Sequence, residues 1–255
     1  MIPSCIPPTA LPLGPTAVHL WRAELDRIDH EVAALRALLT ADERGWVAGH
    51  RTAQLRRRAA VSRGVLRCVL ARYLAIEPQA VRMRSAAHGK PFLACGPRQL
   101  ALRFNLSHSG GVALVAVARG REVGIDIESL GRVLDYERII TRFLSPDEQR
   151  MLAALPPTLR RQAFFTCWVR KEAYAKARGL GLSLPFEQFS VSVNPREPAA
   201  LLSVERRLGD PSRWTLNDIP IGDRYVAAVA VEGAIEGAGC VFRRFTWPSA
   251  PQETF

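Results

Sequence analysis

Leu39-Thr-Ala-Asp-Glu-Arg44 and Leu144-Ser-Pro-Asp-Glu-Gln149 are one phrase written twice, 105 residues apart. Each has the form of a capping box. The hydroxyl of Thr40 or Ser145 can accept from the amide three residues on, and Glu43 or Glu148 can accept in return, which marks a helix start. Working outward, the flanks repeat too. A strand candidate precedes each phrase (residues 17–25 and 122–128), and a long arginine-rich helix follows it (roughly 48–75 and 158–178). An apolar strand ending in glycine closes each half (112–120 and 225–233). The expectation is an α+β fold of two similar subdomains related by pseudo-two-fold symmetry, each a small antiparallel sheet packed against a long helix. The boundary is expected near 119–121, giving subdomains of residues 1–119 and 120–255. The cleft between two such halves is the natural ligand site.

Composition narrows the class. The chain has 255 residues, 48% of them apolar, with mixed charge, as expected of a globular protein that can bury a sizeable core. Its longest strongly apolar run, 112–118, falls far short of the roughly 18–20 residues of a membrane span. The proline-rich start lacks a basic segment, so no signal peptide is expected, and the ends (1–16 and 247–255) are expected to be loosely held. Cys5, Cys68, Cys95, Cys167 and Cys240 are odd in number and unpaired in spacing, which fits neither a disulfide framework nor a zinc site. A reducing cytoplasm is the expected setting. A net charge of +11 predicts an acidic partner, whether nucleic acid, a phosphate-rich metabolite or a protein.

Two segments carry the chemistry. Val123-Gly-Ile-Asp-Ile-Glu128 reads as a strand on which Asp126 and Glu128 share a face while Ile125 and Ile127 turn into the core. Trp168-Val-Arg-Lys-Glu-Ala-Tyr-Ala-Lys-Ala-Arg-Gly179 reads as a helix with Trp168, Glu172 and Lys176 on one face. Asp126, Glu128 and Glu172 form a candidate site for Mg²⁺, which takes oxygen ligands and pairs with substrate phosphates. Gly124, on the same strand face, would leave room for a ligand. Spacing alone leaves open a solvated strand edge beside an ordinary Glu172–Lys176 ion pair.

Of 35 basic residues only Lys90, Lys171 and Lys176 are lysines, and two of them lie in that helix. The third sits in Gly89-Lys90-Pro91-Phe92, a rigid turn that could hold a phosphate. Arg103-Phe-Asn-Leu-Ser-His-Ser-Gly-Gly111 ends a strand with Ser107, His108 and Ser109 as donors for phosphate oxygens. Ser107 and His108 point to opposite faces and so make a poor nucleophile–base pair. The helix after residue 48 carries Arg51, Arg56, Arg57, Arg58, Arg63, Arg67 and Arg72. Its apolar stripe (Leu55, Ala59, Leu66, Val69, Leu70, Tyr73) should face the core, leaving arginines for solvent or ligand.

Gly89-Lys-Pro91, Phe104-Asn-Leu-Ser-His-Ser109, Gly124-Ile-Asp-Ile-Glu128 and Trp168-Val-Arg-Lys-Glu-Ala173, with Lys176 and Gly179, together resemble the surfactin-type 4′-phosphopantetheinyl transferases. The resemblance spans about residues 39–233. It implies a pseudo-two-fold pair of α+β subdomains and Mg²⁺-dependent transfer of the phosphopantetheine arm of coenzyme A to a serine of an apo carrier protein, releasing adenosine 3′,5′-bisphosphate. It implies Asp126, Glu128 and Glu172 as metal ligands, Glu172 also as general base, and Lys176 on the diphosphate. Lys90 and Pro91 of the turn, with Ser107 and His108, resemble the coenzyme A contacts, and Arg58 could meet the 3′-phosphate. One departure stands out. Where the family often has basic residues for the 3′-phosphate, this chain has Glu43, Gly45 and Trp46. The contact is therefore expected from Arg44, Arg51 or Arg58. A monomer acting on an acidic carrier, with no nucleic-acid or membrane partner, is the expectation. The alternatives are a basic nucleic-acid-binding module and a non-catalytic carrier-binding scaffold.

Overall fold

Alternation along two strands sets the layering of this chain. The computed structural model describes residues 11–94, 101–133, 136–205, 209–233 and 240–247. Cys5 and Cys95, and the outer parts of both proline-rich ends (1–10 and 248–255), lie outside the described residues. In chain order the elements are β1 (Ala17–Glu24), α1 (Asp29–Ala37), α2 (Ala41–Ala48), α3 (Ala53–Leu74), β2 (Met83–Ser85), β3 (Pro91–Leu93), β4 (Leu102–Ser109), β5 (Val112–Arg119) and β6 (Val123–Ser129). There follow α4 (Tyr136–Phe143), α5 (Pro146–Ala154), α6 (Pro157–Arg178), β7 (Phe189–Val191), β8 (Leu201–Val204), β9 (Trp214–Asp218), β10 (Tyr225–Glu232) and β11 (Val241–Trp247).

Two sheets lie back to back between two long helices. One has the order β11-β1-β5-β4 and the other β6-β10-β9. On β5, Ala113, Val115 and Val117 pack into the core that holds α3, while Val112, Leu114, Ala116 and Ala118 pack against the second sheet. Both faces are covered, so the strand reads as a continuous apolar run and not as an alternation. On β6 and β10, Val123, Ile125, Ile127, Val229 and Val231 enter the core between the sheets. Ala228 and Ala230 face the other way, into the core built on α6.

The fold is α+β with small, mainly antiparallel sheets and long helices, as the sequence indicates. The halves share a device as well. Both capping boxes form: Thr40 with Glu43, and Ser145 with Glu148. In each half the long helix then sends a cation to the capping glutamate, Arg67 Nε to Glu43 Oε2 at 2.7 Å and Lys171 Nζ to Glu148 Oε2 at 2.6 Å. Lys171, unlike Lys176 on the same helix, is therefore a core residue. It is fully buried, and Phe189 O accepts its second hydrogen bond.

Strand β11 belongs to the first sheet, paired in parallel with β1, so the end of the chain ties the second half to the first. Three expectations are corrected. The first long helix begins at Ala53, not near 48. Gly49 ends α2, and Thr52 caps α3 by accepting from Leu55 N. Leu55 is exposed and not in the core, because the whole first turn of α3 faces solvent. The arginines of α3 are not free for a ligand as a group. Arg67 and Arg72 are buried, and Arg57 and Arg58 pair with Asp29 and Asp26.

Replacing Lys171 by Met strands a buried carboxylate, so unfolding free energy should fall by about 3–5 kcal/mol. Removing Arg150, whose pairing with Asp147 is on the surface, should change it by less than about 1 kcal/mol. Denaturant unfolding of the two variants checks the contrast.

Candidate active site

Where the two sheets meet edge to edge, side chains from β4 reach across to β6. Asn105, Ser107 and Ser109 occupy alternate positions and therefore share a face. Asn105 Oδ1 accepts from Ile125 N at 2.9 Å, Ser107 Oγ donates to Asp126 Oδ1 at 2.8 Å, and Ser109 Oγ donates to Glu128 Oε2 at 2.9 Å. This polar row holds both acids of β6 at set positions.

The helix comes from the other side. A Cβ built on Gly124 would lie 2.1 Å from Ala173 O and 2.2 Å from Ala177 N. The missing side chain thus admits the backbone of α6 onto the strand. This corrects the expectation that Gly124 leaves space for a ligand: the space is filled by the helix. Contact at that depth lets Lys176 Nζ reach Asp126 Oδ1 at 2.5 Å and Ser107 Oγ at 3.0 Å. Ser107 donates to Asp126 and accepts from Lys176, so three elements meet at one charge-assisted knot.

Glu172 stands one turn before Lys176. Both line a cavity of about 360 Å³ with Gly89, Lys90, Pro91 and Asn105. Burial, then the nearby Asp126 and Glu128 carboxylates, push the Glu172 carboxyl up to about 7, with Lys176 opposing. Burial and Asp126 raise Glu128 against the pull of Ser109, Arg132 and Lys176. Withdrawal from bulk water, then the cations of Lys176, His50 and Arg63, hold the His108 imidazole below the ordinary histidine range.

Among the described residues no three metal-ligating side chains are already closed around one point. Lys176 occupies one oxygen of Asp126, while Ser109 and Arg132 occupy Glu128. The donor chemistry nevertheless fits a hard divalent cation. All three groups offer oxygen. Asp126 Oδ2 is buried without a hydrogen-bond partner, and Glu172 lies close enough to feel the charges of both Asp126 and Glu128.

The structure gives other expected residues different work. All three N–H groups of Lys90 are engaged, by Glu122 Oε2 (2.8 Å), Ala177 O (2.9 Å) and Val123 O (3.2 Å). These contacts fix the Gly89–Pro91 turn to β6 and α6, and Lys90 also lines the cleft cavity. Arg58 holds Asp26 through both carboxylate oxygens, Arg44 donates to Leu39 O, and Arg51 is exposed at the connection between α2 and α3. None of the three lines the cleft cavity. Asn105 was legible as the first of three alternate polar residues in Asn105-Leu-Ser-His-Ser109. Glu122, which anchors Lys90 and Arg103 Nε together, carries no local signal.

Comparison with known proteins gives the family. Residues 122–230 match the 4′-phosphopantetheinyl transferase superfamily, and residues 21–120 match the 4′-phosphopantetheinyl transferase N-terminal family. The chain is 38% identical over 226 residues to the 4′-phosphopantetheinyl transferase HetI of Nostoc sp., covering 89% of this chain and 92% of that one. A putative 4′-phosphopantetheinyl transferase of Synechocystis sp. is 30% identical over 83% of this chain and 85% of its own length. The Bacillus subtilis transferase Sfp is 33% identical over 51% of this chain and 55% of its own. The chain therefore belongs to the 4′-phosphopantetheinyl transferase superfamily, and it is a phosphopantetheinyl-transferring enzyme.

Gly124→Ala should push α6 off β6, lowering unfolding free energy by about 1–3 kcal/mol and reducing transfer. Gly45→Ala, on an exposed helix with nothing within 4 Å of the new methyl, should instead be neutral or stabilising. Thermal unfolding of both variants, with a transfer assay, separates the two effects.

Proposed function

We propose that this enzyme moves the 4′-phosphopantetheine arm of coenzyme A onto a serine hydroxyl of an apo carrier protein and releases adenosine 3′,5′-bisphosphate. The observation that carries the reading is the contact of Lys176 with Asp126 and Ser107, beside Glu172 on the wall of the cleft. Asp126, Glu128 and Glu172 would hold Mg²⁺, which when bound neutralises diphosphate oxygens and so eases charge movement in the transition state.

The protein has little covalent work to do in such a reaction. The serine oxygen forms a bond to the β-phosphorus, and the bond from that phosphorus to the bridging oxygen breaks. The leaving nucleotide takes the electron pair. Alignment and charge stabilisation dominate. Lys176 places a cation at the cleft floor for the growing negative charge. Glu172, on the same helix face, would take the serine proton, worth roughly 10²–10⁴-fold in rate. The Lys90 clamp holds the turn that walls the opposite side. Pro91 lines the cleft, and by the resemblance it and His108 would contact coenzyme A away from its reacting atoms.

The net charge of +11 would steer an acidic carrier toward this surface, faster at low salt. No helix among the described residues is long and apolar enough to cross a membrane. Cys68, Cys167 and Cys240 are free thiols, in keeping with a reducing compartment, and the cleft needs no second copy of the chain.

Release of adenosine 3′,5′-bisphosphate from coenzyme A, with an apo carrier present, tests the assignment. Asp126→Ala should lose metal-dependent release, and Glu172→Gln should fall about 10²–10⁴-fold in kcat. An Asp126→Ala protein still stimulated by Mg²⁺ to the wild-type rate would remove Asp126 from the site.

A further inference from the structure

A second cavity, of about 730 Å³, lies between α2, α3 and the β2–β3 hairpin. Gly89 and Pro91 line both this space and the cleft that holds Glu172 and Lys176. One elongated ligand can therefore pass over the turn and occupy both. If the diphosphate of coenzyme A lies beside Lys176, as proposed above, the nucleotide end has this second space to enter.

Arg63, Arg67, Arg82 and Arg84 line its wall, and of these four Arg63 alone has a buried nitrogen without a partner. Arg67 is committed to Glu43, Pro78 O and Val81 O. Arg63 makes no ion pair among the described residues, and its buried Nε has no hydrogen-bond partner. Its guanidinium instead lies 4.8 Å from the ring centre of Trp46, which is 46% exposed on the same wall. Burial also lowers the proton affinity of Arg63, with Glu43 opposing, as expected of a charge withdrawn from water and incompletely balanced. Asp42 and Glu43 also line the cavity, but Glu43 is neutralised by Arg67 and by the capping contact to Thr40 N.

We propose that Arg63, lying against Trp46, holds the 3′-phosphate of coenzyme A. The inference rests on the transferase reading and supplies the contact that Arg44, Arg51 and Arg58 are too engaged or too distant to make. A guanidinium presents paired N–H donors to a phosphate monoester, and an orphaned N–H in a partly desolvated wall gains most from such a partner. Glu43 and Trp46, out of place for phosphate binding in the sequence, become the residues that arrange the arginines of α3. Glu43 draws Arg67 away, and Trp46 supports Arg63.

The test compares coenzyme A with 3′-dephospho-coenzyme A as donors, and adenosine 3′,5′-bisphosphate with adenosine 5′-monophosphate as calorimetric ligands. Wild type should favour the 3′-phosphorylated member of each pair by about 10- to 100-fold, the worth of a charge-assisted contact. In Arg63→Met the preference should collapse toward unity in both kcat/KM and affinity. In Arg63→Lys, which keeps the charge without the fork, it should be intermediate. A full preference retained by Arg63→Met, or no preference in wild type, would overturn the assignment while leaving the transferase reading intact. Wild type that neither binds coenzyme A nor transfers from it would overturn both.

Discussion

The site depends on how closely α6 lies on β6. Gly124 permits backbone contact at a depth no side chain would allow, and the alanines Ala228 and Ala230 on the neighbouring strand keep the same face low. That depth brings Lys176 within hydrogen-bond reach of Asp126 and Ser107 and places Glu172 in the field of two carboxylates. A helix held even slightly further out would leave an acidic strand and a basic helix as separate, weakly coupled surfaces, since exposed pairs contribute little.

The scaffold around this contact is built by repetition and then tied together. Each half caps a short helix with a glutamate and secures that glutamate with a cation from its long helix, Arg67 in one case and Lys171 in the other. Strand β11 returns from the second half to pair with β1, and Lys90 joins the hairpin of the first half to the end of α6. The cleft walls come from both halves, so the cross-ties shape the cleft as well as stabilise the fold.

Much of this was legible in the order of residues, for local reasons. A period of two puts Asp126 and Glu128 together, a spacing of four joins Glu172 to Lys176, and hydroxyl–glutamate pairs mark both helix starts. The rest depends on partners distant in sequence. Nothing near Arg58 announces Asp26, nothing near Lys90 announces Glu122 and Ala177 O, and nothing in Lys171 distinguishes it from Lys176 except the face it lies on. The face of Gly124 was readable, but what packs on that face was not. Periodicity assigns a side, and only the fold decides whether helix, water or ligand fills it.

Two lines now converge on one chemistry: membership of the 4′-phosphopantetheinyl transferase superfamily, and a cleft lined by Glu172, Lys90 and Lys176 next to Asp126, with a second cavity that shares Gly89 and Pro91 with it. The most direct measurement is the intact mass of a panel of apo acyl and peptidyl carrier proteins after incubation with this enzyme, Mg²⁺ and coenzyme A. At least one carrier should gain a single phosphopantetheine mass on a serine. No gain on any carrier, with the enzyme folded and coenzyme A intact, would contradict the account.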